Sequence, residues 1–219
     1  MHQLPLPFSV SEGAEPPDAA RAVEVAAGAM IFVGRLPPAL TPDGPAFERL
    51  WNLRPPDYAP FTIHGRTVPT PRWTQPYAHD YVYGGRPHPA LPAPPEVAPF
   101  LLWAQSTTDP RLNGVVVNWY DARLGHYIGA HRDSRESLVA GAPIVNICLG
   151  EDRPFRIRPW KGRGYRDFPA PHGTVFVIPW RTNLVVTHEV PLLKAHRDRR
   201  ISVAIRAFRP PTSAPPTDA

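Results

Sequence analysis

His131 and Asp133 stand one residue apart in the stretch NWYDARLGHYIGAHRDS, residues 118–134. Alternate side chains of an extended strand share a face, so the imidazole and the carboxylate project together while Arg132 turns away. Side by side, they are two of the three ligands of a facial triad that holds non-haem Fe(II) and leaves coordination positions open. A His-x-Asp triplet is equally at home in a charged surface loop. The iron chemistry therefore needs a second imidazole, and a partner for whatever occupies the open positions.

Nine histidines are available. His188 lies within LVVTHEV, whose apolar neighbours place it on a strand packed against the core. His172 precedes a glycine and reads as a turn residue. His2, His64, His79, His88 and His196 fall in loops or in a flap region, and His126 in a hairpin. An iron centre with open positions takes a bidentate oxo-acid and O₂. The far carboxylate of such an acid calls for arginine, whose planar fork meets it in two parallel hydrogen bonds. In RISVAIR, Arg200, Ser202, Ala204 and Arg206 share one strand face, and the two small residues between the arginines leave room for an anion. The same face would also suit two solvated arginines. Asn118 and Tyr120 share a face of their own strand and can donate hydrogen bonds to the same acid.

These residues must be positioned by a chain of 219 residues, 42% hydrophobic and 20% charged, long enough for one domain with a substantial core. Cys148 is the sole cysteine, which excludes an internal disulfide and a thiolate zinc finger and fits a reducing compartment. Lys and Arg outnumber Asp and Glu by 24 to 19, a net +5 that suits nucleic acid as well as an ordinary basic surface. The longest apolar run, residues 25–33, is too short to span a bilayer. The N-terminus lacks the basic start and apolar core of a secretory signal. The expectation is an intracellular protein, cytoplasmic or nuclear, monomeric and without membrane attachment.

The 32 prolines impose short helices and many loops. Residues 1–22 read as a flexible arm and 29–34 as a first strand. Thr41-Pro42-Asp43 predicts a helix start with Thr41 as cap, and Phe47, Leu50 and Trp51 supply its apolar face. Residues 60–90 read as a flap. Within it FTIHGRTVPTPRW is a hairpin about Gly65 and YVYGG a short aromatic strand, and a proline-rich loop, residues 87–95, leads out of it. Val97, Phe100, Leu101 and Ala104 mark a second helix. Over residues 115–208, seven β-rich segments follow at close spacing: VVVNWY, HYIGAH, PIVNICLG, FRIR, TVFVIP, LVVTHEV and RRISVAIRAF. They predict a sandwich or jelly roll. Residues 209–219 read as a disordered tail.

Asn-x-Tyr, His-x-Asp, PI-x-x-x-x-LG, His-Gly, a distal His and R-x-S-x-x-x-R occur here in an order that resembles the AlkB family of Fe(II)/2-oxoglutarate dioxygenases, over about residues 60–208. GAHRDSRESLVAGAPIVNICLG is similar to the nucleic-acid-repair members. The resemblance implies a mainly β domain, residues 23–208, with a double-stranded β-helix core and flanking helices. It implies Fe(II) held by His131, Asp133 and His188 as the catalytic metal centre. 2-Oxoglutarate would be bound by Asn118, Tyr120, Arg200, Ser202 and Arg206, with O₂ as oxidant. Tyr81 and Tyr83 would stack on a flipped base. His64, Ser134, Arg135 and Glu136 would complete the substrate contacts. The implied activity is oxidative demethylation of alkylated bases in DNA or RNA, with release of formaldehyde, succinate and CO₂.

The chain departs from the family pattern at three places. Ser202 and Ala204 stand where the family has Asn and Thr. Arg135, with Glu136 beside it, stands where an acidic residue faces the base, and a guanidinium cannot accept a hydrogen bond from an exocyclic amine. His64 replaces an apolar wedge. Arg135 keeps a second reading open, a 2-oxoglutarate oxygenase acting on a protein, lipid or small molecule. A third is a non-catalytic nucleic-acid-binding module on the same fold.

Overall fold

The computed structural model describes residues 18–63, 65–83 and 86–210. Two antiparallel strands open it, β1 (Asp18–Ala26) and β2 (Ala29–Arg35). Residues 18–22, read from composition as part of a flexible arm, are thus strand: Arg21 and Ala22 pair with Val33 and Phe32 across the hairpin. Pairing with β2 outweighs the low intrinsic β preference of Asp and Ala.

Helix α1 (Gly44–Asn52) follows. Its cap is Asp43, not Thr41: the Asp43 carboxylate accepts the Ala46 N–H at 2.8 Å, a bond of the kind worth about 1 kcal/mol. Thr41 instead donates to the Pro37 carbonyl. Leu50 and Trp51 are buried as the apolar spacing requires. Hairpin β3 (Pro60–Ile63) and β4 (Arg66–Pro69) turns at Gly65, whose φ of +74° favours glycine. Strand β5 (Trp73–Tyr77) is masked in the sequence by Pro76 and Gln75. It is the edge strand of its sheet, a position where proline is tolerated. Strands β6 (Tyr81–Tyr83) and β7 (Arg86–His88) form a second small hairpin, so the loop expected over 87–95 begins with strand. Helix α2 (Ala98–Thr107) buries Phe100, Leu101, Trp103 and Ala104.

The remaining elements are β8 (Gly114–Asp121), β9 (Ile128–His131), β10 (Ile144–Gly150), β11 (Phe155–Pro159), β12 (Arg166–Phe168), β13 (Thr174–Ile178), α3 (Trp180–Val185), β14 (Val186–Val190) and β15 (Arg199–Arg206). All seven predicted β segments are present. Some of their ends differ: Leu184 and Val185 end the short helix α3 instead of starting β14, and His126 and Tyr127 precede β9.

Seven strands form the larger sheet, in the order β1-β2-β13-β10-β15-β8-β5, and four the smaller, β12-β11-β14-β9. The fold is mostly β with few helices, the expected jelly roll. The larger sheet's two faces divide the labour by the strand period of two. Val115, Val117, Trp119, Val145, Ile147, Ile201, Val203 and Ile205 join the helices in one apolar cluster. The Trp119 indole donates to the Leu50 carbonyl at 3.0 Å, tying α1 to the sheet. On the opposite face of β8, β10 and β15, among Val116, Ile144 and Ala204, stand Asn118, Tyr120, Asn146, Cys148, Arg200, Ser202 and Arg206, all buried. A polar row inside a sandwich is expensive unless every group has a task.

Candidate metal centre and anion cleft

β9 and β14 pair with His131 opposite His188, and their rings sit 4.3 Å apart between centroids. β9 ends at His131, so Asp133 is not presented by strand alternation, as the sequence reading assumed. Asn183 of α3 places it instead: its Oδ1 accepts the Asp133 N–H at 3.2 Å and its Nδ2 donates to the Asp133 carbonyl at 3.1 Å. Arg132 does turn away, donating to the Leu184 carbonyl and lying 3.7 Å from the centroid of the Trp160 ring. The ligand atoms of His131, Asp133 and His188 all lie within 4.8 Å of one another.

Charge states suit a divalent metal. Burial pushes His188 down to about 3, with His131 beside it adding to the effect. Burial also lowers His131, against the pull of Asp133. Both imidazoles are therefore neutral at pH 7, as ligation requires. Burial would raise the Asp133 carboxyl, but Arg206 and the two histidines hold it at about 2. Arg206 grips Asp133 in a fork, Nε to Oδ2 at 3.0 Å and Nη2 to Oδ1 at 2.9 Å. The His131 Nδ1–H donates to the Gly129 carbonyl at 2.9 Å, which leaves Nε2 as its ligand atom. His188 Nδ1 is buried with no hydrogen-bond partner. Two neutral imidazoles and one carboxylate, whose oxygens each keep a lone pair beyond the Arg206 fork, are the donor set for Fe(II).

Further along the same cleft, Arg200 faces Tyr120 in register and is fully buried. Its Nη2 donates to Cys148 Sγ at 2.9 Å. The Asn118 carbonyl oxygen accepts from Arg72 Nε at 2.8 Å, which orients that amide. Ser202 lies on the same face, but its hydroxyl donates to Asn146 Oδ1 at 2.8 Å, so its proton is committed within the protein. Two buried arginines escaped the sequence reading, Arg72 before β5 and Arg153 between β10 and β11. An isolated Arg in a loop carries no spacing signal. His172, read as a turn residue, braces the cleft from outside: its Nδ1 accepts the Gly150 N–H and its Nε2–H donates to the Pro42 carbonyl.

Of the expected substrate contacts, the structure brings Tyr81 to the metal end, with the Arg206 guanidinium 5.8 Å from its ring centroid and Phe208 5.7 Å away. A cavity of about 330 Å³ opens beside it, lined by His79, Asp80, Val82, Ser134, Glu136 and Phe208 among others. Arg135 is exposed and does not line this cavity, whereas Glu136 does. His64 and the side chain of Tyr83 lie outside the described residues.

Residues 54–206 match the model of the 2OG-Fe(II) oxygenase superfamily, and the chain belongs to that superfamily. Its cofactors are accordingly Fe(II), 2-oxoglutarate and O₂. No curated protein matches the sequence. Among solved structures, the chain is similar to that described as "The structure of OsALKBH1", with a TM-score of 0.53 at 13% identity over 85% of this chain and 99% of that one. It is also similar to an oxidoreductase of the 2OG-Fe(II) oxygenase family from Burkholderia pseudomallei. There the TM-score is 0.50 at 19% identity, over 80% and 85% of the two chains. The reading is borne out at the level of the 2OG-Fe(II) oxygenase superfamily, and its AlkB likeness at the level of the fold.

Proposed function

We propose that this oxygenase oxidatively demethylates alkylated nucleobases in DNA or RNA. The observation that carries the reading is the Glu136- and Phe208-lined cavity, whose Ser134 directly follows Asp133 in the chain and whose Phe208 ring lies 5.7 Å from that of Tyr81. His79 and Phe208 stack there at 5.2 Å, an aromatic wall suited to a base withdrawn from its stack. Glu136 offers an acceptor for an exocyclic amine, which removes the difficulty raised by Arg135.

His131, Asp133 and His188 would hold the metal, and Arg206 keeps Asp133 ionised and oriented for it. Bound Fe(II) supplies the chemistry that couples decarboxylation of 2-oxoglutarate to hydroxylation of a C–H bond. Arg200, with Tyr120 and Asn118, would take the far carboxylate of 2-oxoglutarate, which orients the oxo-acid end toward the triad. The sheets on either side exclude bulk water. A methyl carbon hydroxylated next to a ring nitrogen then leaves as formaldehyde.

The test is formaldehyde release from 1-methyladenine and 3-methylcytosine oligonucleotides, single- and double-stranded, with Fe(II) and 2-oxoglutarate. Release from either supports the reading. Succinate formation stimulated by peptides or small molecules but by no methylated oligonucleotide would replace it with the second reading.

A further inference from the structure

The anion end of the cleft holds more positive charge than one arginine supplies. Arg153 is 1% exposed and Arg200 0%. Among the described residues neither forms an ion pair, and Glu151 acts on Arg153 only from farther away. Both flank Tyr120. Arg200 opposes it in register, and the Arg153 guanidinium carbon lies 5.6 Å from its ring centroid. Arg200 Nη1 donates to the Arg153 carbonyl, which ties the two residues together. Arg153 Nη2 is held by the His126 and Pro191 carbonyls, at 2.7 and 3.3 Å. Its Nε and Nη1, and the Nε of Arg200, are buried without a hydrogen-bond partner. Three such donors on two unpaired guanidiniums are costly in a folded protein unless an anion meets them.

We infer that Arg153 is a second cation for the far carboxylate of the co-substrate and sets the cleft's preference for a dicarboxylic oxo-acid over one with a neutral end. The inference rests on the placement of 2-oxoglutarate at Arg200 proposed above. Arg200 comes from the centre of the larger sheet and Arg153 from the loop between the sheets, so the carboxylate would be approached from two directions. An oxo-acid with an uncharged end would leave both guanidiniums unpaired, a stronger discrimination than loss of one hydrogen bond.

The experiment measures calorimetric affinities for 2-oxoglutarate and for 2-oxoglutaramate, in which a neutral amide replaces the far carboxylate. Mn(II) replaces Fe(II) so that no turnover intervenes. The expected result for Arg153→Met is a loss of about ten- to a hundredfold in 2-oxoglutarate affinity, with 2-oxoglutaramate affinity unchanged. Equal losses for both ligands would mean a purely structural role, and no loss for either would mean none; each overturns the inference. Should Arg153→Met not fold, Arg153→Lys carries the test: it keeps the charge, loses the fork, and should weaken 2-oxoglutarate binding alone. Arg200→Met separates the two readings. If it abolishes the preference while Arg153→Met retains it, only Arg153 is misassigned. If Arg200→Met leaves the preference intact, the placement of the co-substrate itself fails.

Discussion

The two ends of the intersheet cleft handle buried charge in opposite ways. At the metal end Arg206 and Asp133 neutralise each other through two hydrogen bonds, and their side chains are 7% and 3% exposed. At the other end Arg153 and Arg200 are buried to the same degree, and among the described residues neither has an ion-pair partner. The first end is complete as protein: its charge pair sets the ionisation and aim of a ligand before any metal arrives. The second is complete only with an anion. Arg200 and Arg206 lie on the same strand, β15, six residues apart, and a strand pattern treats the two alike.

Removing the metal end's carboxylate should have the largest effect. Asp133→Ala takes away a ligand and strands Arg206 in the interior. The expectation is loss of 2-oxoglutarate turnover with any substrate, and destabilisation by about 3–5 kcal/mol, as for other broken buried pairs. Turnover assays and urea melts check this; retained turnover would remove the triad assignment. Comparing Arg206→Met with Arg200→Met in metal-free protein tests the contrast directly. The first should destabilise by a similar amount, because it strands Asp133. The second removes a charge with no carboxylate partner and should change stability by no more than about 1 kcal/mol. Equal losses would show that the two ends do not differ as described.

A smaller effect is expected at Asn183, which holds the Asp133 main chain without touching the metal. Asn183→Ala should lower metal affinity about tenfold, by analogy with other residues that orient ligands, while leaving 2-oxoglutarate discrimination intact. Metal-binding titrations decide this. The smallest concerns pH. His126 is buried, its Nδ1 accepting the Asp121 N–H and its Nε2–H facing the Tyr58 hydroxyl. Burial lowers its pKa from 6.5, so the folded state keeps it neutral. The unfolded chain takes up a proton below about pH 6.5 and the folded one does not until lower pH. Stability should therefore fall as the pH drops below about 6.5, and His126→Asn should make that fall shallower. Melting temperatures from pH 7 down to pH 5 measure it; an unchanged slope would mean that His126 protonates freely in the fold. His131 and His188, also held neutral by burial, contribute in the same direction until metal binds.

Much of this was legible in residue types and spacing. The strand period of two placed Asn118 with Tyr120, and Arg200 with Ser202 and Arg206, on one face, and the structure keeps both sets. The apolar alternates of the same strands form the core that meets α1 and α2. His188 was legible because a histidine amid β-branched residues on a buried strand needs a reason to be there. Thr41 was misread as a cap because Thr-Pro-Asp offers two capping side chains, and only the local backbone decides between them.

The sequence by itself determined the strands, their faces and the ligand types, because these depend on neighbours a few residues apart. Tertiary structure decided the rest. It set β9 against β14 so that His131 and His188 meet, and it used Asn183, fifty positions beyond Asp133, to aim the carboxylate. It also gave Arg200 and Arg206, on the same face of β15, different partners. No local rule could distinguish them, because what separates Arg206 from Arg200 is the charge each meets across the cleft. That charge comes from β9's end in one case and, as we infer, from a bound anion in the other.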